Sequence, residues 1–229
     1  MSRSRSAVVA ALTALLAGAF VGLAVAEEPA APASPTAIRA YHDSGEWDRD
    51  LAAQLKVARK DLDKALTVKK GKKAPKGTPT LILDIDDTSL STYECAEPKD
   101  FAAGATAGCI AAGTLPVIKG TRDLAKAAVK KKVKLVFITA RPDIPVLRDV
   151  TEKNLKAAGY TMKHTLTMKA TGTLTGPAVT AAEYKSAARK ALIKQGARIV
   201  LNVGDQKSDL SGGAAQYAVK LPNPMYVNK

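Results

Sequence analysis

Four short segments of this chain gather residue types that can move a phosphoryl group. The first is Asp84-Ile85-Asp86-Asp87-Thr88, directly after the apolar run TLIL. A carboxylate such as Asp84 can attack phosphorus and form an aspartyl phosphate, splitting one hard displacement into two easier ones. A second carboxyl two residues on, Asp86, can protonate the leaving alcohol and then deprotonate the water that follows, a role typically worth about 10²–10⁴-fold in rate. Thr139 closes another apolar run, VKLVFIT, and Lys185 opens a later helical stretch. A hydroxyl and an ammonium can hold the non-bridging phosphoryl oxygens as charge shifts. The fourth segment, GDQKSD, brings Asp205 and Asp209. A phosphate dianion needs a hard, oxygen-liganded cation to sit beside so many carboxylates. Mg2+ suits such a cluster, although an oxygen site does not itself exclude Mn2+ or Co2+.

The elements that must position these residues follow from hydrophobic periodicity. Residues 80–84, 133–139, 164–168 and 198–203 are short apolar runs bounded by turn signals and read as strands. Residues 118–131, 145–158 and 181–195 read as helices, the last two stopped by Gly159 and Gly196. Upstream, Trp47, Leu51, Leu55, Val57, Ala58, Leu62 and Leu66 recur at helical spacing, with Ser44 as the expected N-cap. Alternation of strand and helix calls for a parallel sheet flanked by helices, a Rossmann-like α/β fold whose ligands bind at the carboxyl ends of the strands. The acidic and hydroxylic residues fall at those ends.

In this order the motifs resemble those of haloacid dehalogenase superfamily phosphohydrolases. More narrowly, YHDSGEWDRDL, TARPDIPVLRDVTEKNLKAAGY, YKSAARKALIKQGARIVLNVGDQKSDL and KLPNPMYV resemble the acid phosphatase family that includes bacterial class B and C enzymes and plant vegetative storage proteins. The resemblance runs from about Tyr41 to Val227. It implies Asp84 as nucleophile, Asp86 as general acid/base, Thr139 and Lys185 on the phosphoryl group, and Mg2+ held by Asp84, Asp205 and the main-chain carbonyl of Asp86. Asp209 would ligate the ion or support its water shell. Lys190 and Lys194 share the helix of Lys185. Residues 89–115 would form a small cap over the site. Tyr93 and Phe101 are the aromatics there, amid Ala and Gly, which argues against stacking of a nucleotide base. Asp87 reads as an exposed or turn-stabilising carboxylate, and Arg141 as a phosphate contact or a surface loop residue.

The rest of the chain bounds where such a protein works. Arg3 and Arg5 precede an uncharged run over residues 7–25, and Ala24-Val25-Ala26 offers a small-x-small cleavage site. Residues 1–26 are therefore read as an export signal and the protein as secreted, the alternative being an uncleaved anchor. Residues 27–40, rich in Pro and Ala, read as a disordered linker before a domain over 41–229. The net charge of +14 falls by two once Arg3 and Arg5 leave. The excess suits either a solvated surface or contact with polyanions of a cell envelope, and no specific nucleic-acid partner is expected. Cys95 and Cys109 permit one disulfide in an exported chain, with two buried thiols as the alternative.

Other phosphatase chemistries lack their residues. Neither cysteine has an Arg six positions on, and His42 and His164 are too few for a histidine or His-rich two-metal enzyme. The Gly71–Gly77 stretch has the wrong spacing for a phosphate loop. The expected activity is hydrolysis of small phosphomonoesters, best at acidic pH because Asp86 must carry a proton in the first step. Two alternatives stand beside it: a non-catalytic storage or polyanion-binding protein on the same fold, and phosphotransfer to an acceptor alcohol through the same intermediate.

Overall fold

A computed structural model describes residues 34–68, 70–171 and 179–227. The proposed export signal lies outside them, and no helix among the described residues is long and apolar enough to cross a membrane. Two helices, α1 (Pro35–Asp43) and α2 (Glu46–Leu66), lead into strand β1 (Thr78–Leu83). Short helices α3 (Tyr93–Ala96) and α4 (Ala107–Ala112) precede α5 (Lys119–Lys130) and β2 (Lys134–Asp143). Then come α6 (Pro145–Ala157), β3 (His164–Ala170), α7 (Ala181–Lys194), β4 (Ala197–Gly204), α8 (Lys207–Leu210) and β5 (Ala218–Lys220).

All five strands are parallel, in the order β3-β2-β1-β4-β5. The order reverses between β1 and β4, so a crevice opens at their carboxyl ends, where open α/β sheets bind ligands. Buried on both faces, the central strands read as continuous apolar runs. One face packs Leu81, Leu83, Leu135 and Phe137 against Leu55, Ala58 and Leu62 of α2, Leu124 and Ala128 of α5, and Leu155 of α6. The opposite face packs Ile82, Val136, Ile138 and Ile199 against Tyr184, Ala188 and Leu192 of α7. The predicted core strands and helices appear with ends shifted by a few residues. Three-residue β5 carried too short a pattern to be foreseen.

Two expectations at the amino end are corrected. The stretch read as linker to residue 40 is helical from Pro35, because Ser34 accepts a hydrogen bond from the Ala37 N–H at 3.3 Å and Pro35 occupies the first turn. Ile38 of this helix is buried. Ser44 ends α1, its N–H donating to the Ala40 carbonyl at 3.0 Å, and α2 begins instead from Gly45, whose φ of 72° suits glycine.

Cys95 and Cys109 form a disulfide that closes the segment between β1 and α5. Helix α1 straps this segment down. Arg39 donates from Nε to Glu97 Oε1 at 2.5 Å and from its terminal nitrogen to Asp100 Oδ1 at 2.8 Å. The His42 ring stacks on Tyr93 at 3.6 Å.

Candidate active site

The site forms where β1 and β4 run out side by side. Asp84 follows β1, and its N–H donates to the Val203 carbonyl of β4 at 3.1 Å. The chain then folds into a tight turn in which the N–H groups of Ser89 and Leu90 both donate to the Ile85 carbonyl. Ser89 Oγ donates to the Asp84 carbonyl at 2.6 Å, fixing the backbone beneath the Asp84 side chain. Asp205 follows β4 and accepts from Thr88 Oγ1 at 2.9 Å, Gln206 Nε2 at 2.8 Å and Asn223 Nδ2 at 2.7 Å. Asp209, on α8, accepts the Gln206 N–H at 2.8 Å.

Lys185 reaches this cluster from α7. Its Nζ donates to Asp84 Oδ1 at 2.5 Å and also bonds Asp209 Oδ1. Lys190 and Lys194, on the same helix, stay exposed. One turn on, Arg189 is fully buried and donates to the carbonyls of Asp209, Ser211 and Gly213, tying α7 to the loop after β4. Asn202, a polar residue inside the apolar run of β4, donates to the Asp209 carbonyl at 2.9 Å. Gly204 is needed for clearance, since a Cβ there would lie 2.3 Å from the Asp209 side chain.

Asp86 takes a different partner. Arg141 donates from Nε to Asp86 Oδ2 at 3.0 Å and from its terminal nitrogen to Oδ1 at 2.6 Å, while its second terminal nitrogen reaches Thr151 at 3.0 Å. The Arg141 N–H donates to Thr139 Oγ1 at 3.2 Å, so Thr139 and Asp86 meet through this residue. Arg141 is thus neither a surface residue nor in a loop: it is buried in β2. Pairing of β2 with β3 shifts between Thr139 and Pro142, and this bulge, holding Ala140 and Arg141, is the kind of irregularity that re-aims a side chain.

Asp87 is buried, contrary to the exposed reading, and serves the turn. At φ 55° it accepts the Thr92 N–H at 2.7 Å, Thr92 Oγ1 at 2.6 Å and the Tyr226 hydroxyl at 2.7 Å. Burial and the nearby charge of Asp205 push its carboxyl up to about 7, against the opposing hydrogen bonds from Thr92 and Tyr226. Burial and Asp209 likewise push Asp205 up to about 6. Burial holds Asp84 well above the usual carboxylate range, with Lys185 pulling the other way and Asp209, Asp205 and Asp86 adding to the rise. Lys185 itself is raised: burial lowers it, but Asp84 and Asp209 more than offset that.

One oxygen from each of Asp84, Asp205 and Asp209 lies within 4.8 Å of the others. Three buried carboxylates against one lysine leave a negative surplus of hard oxygen donors, which fits a divalent cation. The Asp86 carboxylate stands outside this cluster, on Arg141.

Beside Asp87 lies a recess lined by His42, Trp47, Ser91, Tyr93, Pro222 and Met225. Its aromatic surface exceeds what the cap alone offers. The fold brings His42 and Trp47 from α1 and α2 to Tyr93, with His42 and Trp47 5.7 Å apart.

The fold and the carboxylates at its switch point define a haloacid dehalogenase-like α/β protein. A solved class C acid phosphatase from Bacillus anthracis shares this fold, with a TM-score of 0.63 over 84% of this chain and 85% of that one at 20% identity. The family model for HAD superfamily, subfamily IIIB (acid phosphatase) matches residues 23–229, and the chain belongs to that family. Acid phosphatase 1 of Solanum lycopersicum is 38% identical over 115 residues, 50% of this chain and 43% of that protein. Vegetative storage protein 1 of Arabidopsis thaliana is 33% identical over 151 residues, 63% of this chain and 54% of that protein. The chain thus aligns with about half the length of these curated relatives.

Proposed function

We propose that the protein is a secreted, Mg2+-dependent acid phosphatase that hydrolyses small phosphomonoesters through an aspartyl phosphate on Asp84. The observation that carries this reading is the convergence of Asp84, Lys185, Asp205 and Asp209, which are spread along the sequence from β1 to α8, on one crevice at the ends of β1 and β4. Lys185 and the Thr139 hydroxyl hold the non-bridging oxygens. Asp84 attacks phosphorus, and Asp86 gives its proton to the departing alcohol. Asp86 then takes a proton from the water that cleaves the acyl phosphate. The two contacts from Arg141 fix the direction of the Asp86 carboxyl, and each oxygen keeps a further lone pair for that proton.

Asp84, Asp205 and the Asp86 main-chain carbonyl would hold Mg2+, with Asp209 ligating it directly or supporting its waters. The ion would supply neutralisation of the phosphate's charge among the carboxylates. Export rests on the charge and cleavage pattern of residues 1–26.

Hydrolysis of 4-nitrophenyl phosphate at acidic pH tests the reading. Activity should require added Mg2+, disappear with a chelator, and fall at least about 10³-fold in Asp84→Asn, beyond the loss of a general acid/base alone. An unimpaired Asp84→Asn enzyme would sink the mechanism. A wild-type protein inactive with every divalent metal and phosphoester would favour the storage or binding reading.

A further inference from the structure

The parallel sheet has two unlike ends. Carboxylates gather at its carboxyl end, and lysines gather at its amino end, where every strand begins. The connector between α2 and β1 exposes Lys70, Lys72, Lys73 and Lys76, and no acidic residue occurs from Lys64 to Leu83. The turn between α5 and β2 adds exposed Lys131, Lys132 and Lys134. These two segments are neighbours in the sheet, since Thr80 of β1 registers with Lys134 of β2. On the other side the connector joins the turn before β4, where the Thr78 N–H donates to the Gly196 carbonyl at 2.9 Å. The Asp63 carboxylate at this end is engaged by Lys131.

Part of this charge has a local explanation. Lys64, Lys130 and Lys194 sit in the last turns of α2, α5 and α7, where a cation complements the helix dipole. That account does not extend to the connector lysines or to Lys132 and Lys134, which lie outside helices.

The chemistry around the lysines narrows the partner. Val68 and Ile193 are exposed large hydrophobic residues here, too few to anchor in a bilayer interface. The Tyr217 ring is covered by Lys64, whose ammonium lies 5.4 Å from its centre, so it offers no open platform for a base. What remains is charge on an exposed Gly- and Pro-punctuated segment, KGKKAPKG. We infer that the amino-end face of the sheet, built from the connector lysines and the Lys131–Lys134 turn, docks a flexible linear polymer of phosphate units. The polymer is a tether and not a substrate, because it lies at the end of the sheet opposite Asp84. The inference does not depend on hydrolysis and survives if the protein proves inactive.

Binding of the full chain to labelled inorganic polyphosphate and to labelled poly(glycerol phosphate) tests it, the two probes separating phosphoanhydride from phosphodiester polymers. With about five phosphate contacts, affinity for at least one probe should fall ~10²-fold between 50 and 200 mM salt. Lys72→Gln/Lys73→Gln/Lys76→Gln and, separately, Lys132→Gln/Lys134→Gln should each weaken binding by about tenfold and flatten the salt slope by about 0.7 per lysine removed. Both variants should melt and hydrolyse 4-nitrophenyl phosphate like the parent, and saturating polymer should leave hydrolysis unchanged. Undiminished binding by both variants would overturn the assignment. So would equal affinity for duplex DNA or for anionic phosphatidylglycerol vesicles, or competition between the polymer and orthovanadate.

Discussion

Replacing Lys185 with methionine removes the cation that balances the site while keeping much of its volume. Its Nζ holds Asp84 at 2.5 Å and also bonds Asp209, and all three side chains are buried. Without it, Asp84 and Asp209 lose the ammonium that pairs with both, leaving the longer-range pull of Arg141 on Asp84 and of Arg189 on Asp209. Taking one partner from a buried ion pair typically costs about 3–5 kcal/mol. The two pairs share one ammonium, so their losses do not add and the single range applies. For a domain of roughly 190 residues each kcal/mol moves Tm by about 2–4 °C, which gives a drop of about 6–20 °C. Thermal unfolding in a chelator at neutral pH would read this directly. The deficit should shrink towards pH 4, where the raised Asp84 and Asp205 carboxyls protonate, and Lys185→Met/Asp84→Asn should recover part of it. Added Mg2+ should raise Tm more in Lys185→Met than in the parent, because the variant has lost the cation paired with the Asp84 and Asp209 carboxylates. A variant that melts within about 1 °C of the parent in chelator would refute the charge balance described here.

Three further outcomes follow from the same geometry. Asp87 has a carboxyl raised to about 7 in the fold, so its protonated form is favoured there; the stability it contributes is full below pH ~4 and lost as pH rises towards 7. In chelator, the stability of the parent relative to Asp87→Asn, from urea unfolding, should therefore fall by about 1–4 kcal/mol between pH 4.5 and 8, and a constant difference would contradict the burial argument. Gly204→Ala would press a methyl group onto Asp209, and a displacement of that size should lower the hydrolysis rate at least ~10²-fold, with weaker Mg2+ binding by calorimetry. Cys95→Ala/Cys109→Ala opens a loop closed over 14 residues, an entropic loss of about 3 kcal/mol, and should raise KM for aryl phosphates more than it lowers kcat. Equal KM values in parent and variant would separate the cap from the recess beside Asp87.

The strands were legible because buried parallel strands are written as unbroken apolar runs, and the acidic residues stood out by following them. Asp84 and Asp205 could be found that way, since each follows a patterned strand, whereas Lys185, inside α7, was singled out from Lys190 and Lys194 by the family resemblance. The supports around them carry weaker signals. Asn202 was visible as a polar residue inside an apolar strand, yet nothing local says that it holds the Asp209 carbonyl. Arg189 looks like any helix-surface arginine, because its partners lie 20 to 24 residues downstream. Arg141 required knowledge of a bulge that exists only through pairing with β3. The aromatic recess was missed for a similar reason: its rings come from separate helices, and no window of sequence contains them together. Helix α1 shows the opposite failure, where a Pro- and Ala-rich composition hid a capped helix start at Ser34-Pro35.

The register between β1 and β4 bears on how the chain acquires its site. Asp84 meets Lys185 across 101 residues and Thr88 meets Asp205 across 117. Contacts of such separation must repay the closure of a long loop, and chains that depend on them fold slowly. A partly folded chain that has paired β1, β2 and β3 already has most of its sheet but presents Asp84 without its lysine. The expectation is that the complete site forms late on the way to the native state, so that recovery of hydrolysis after denaturation should lag recovery of secondary structure.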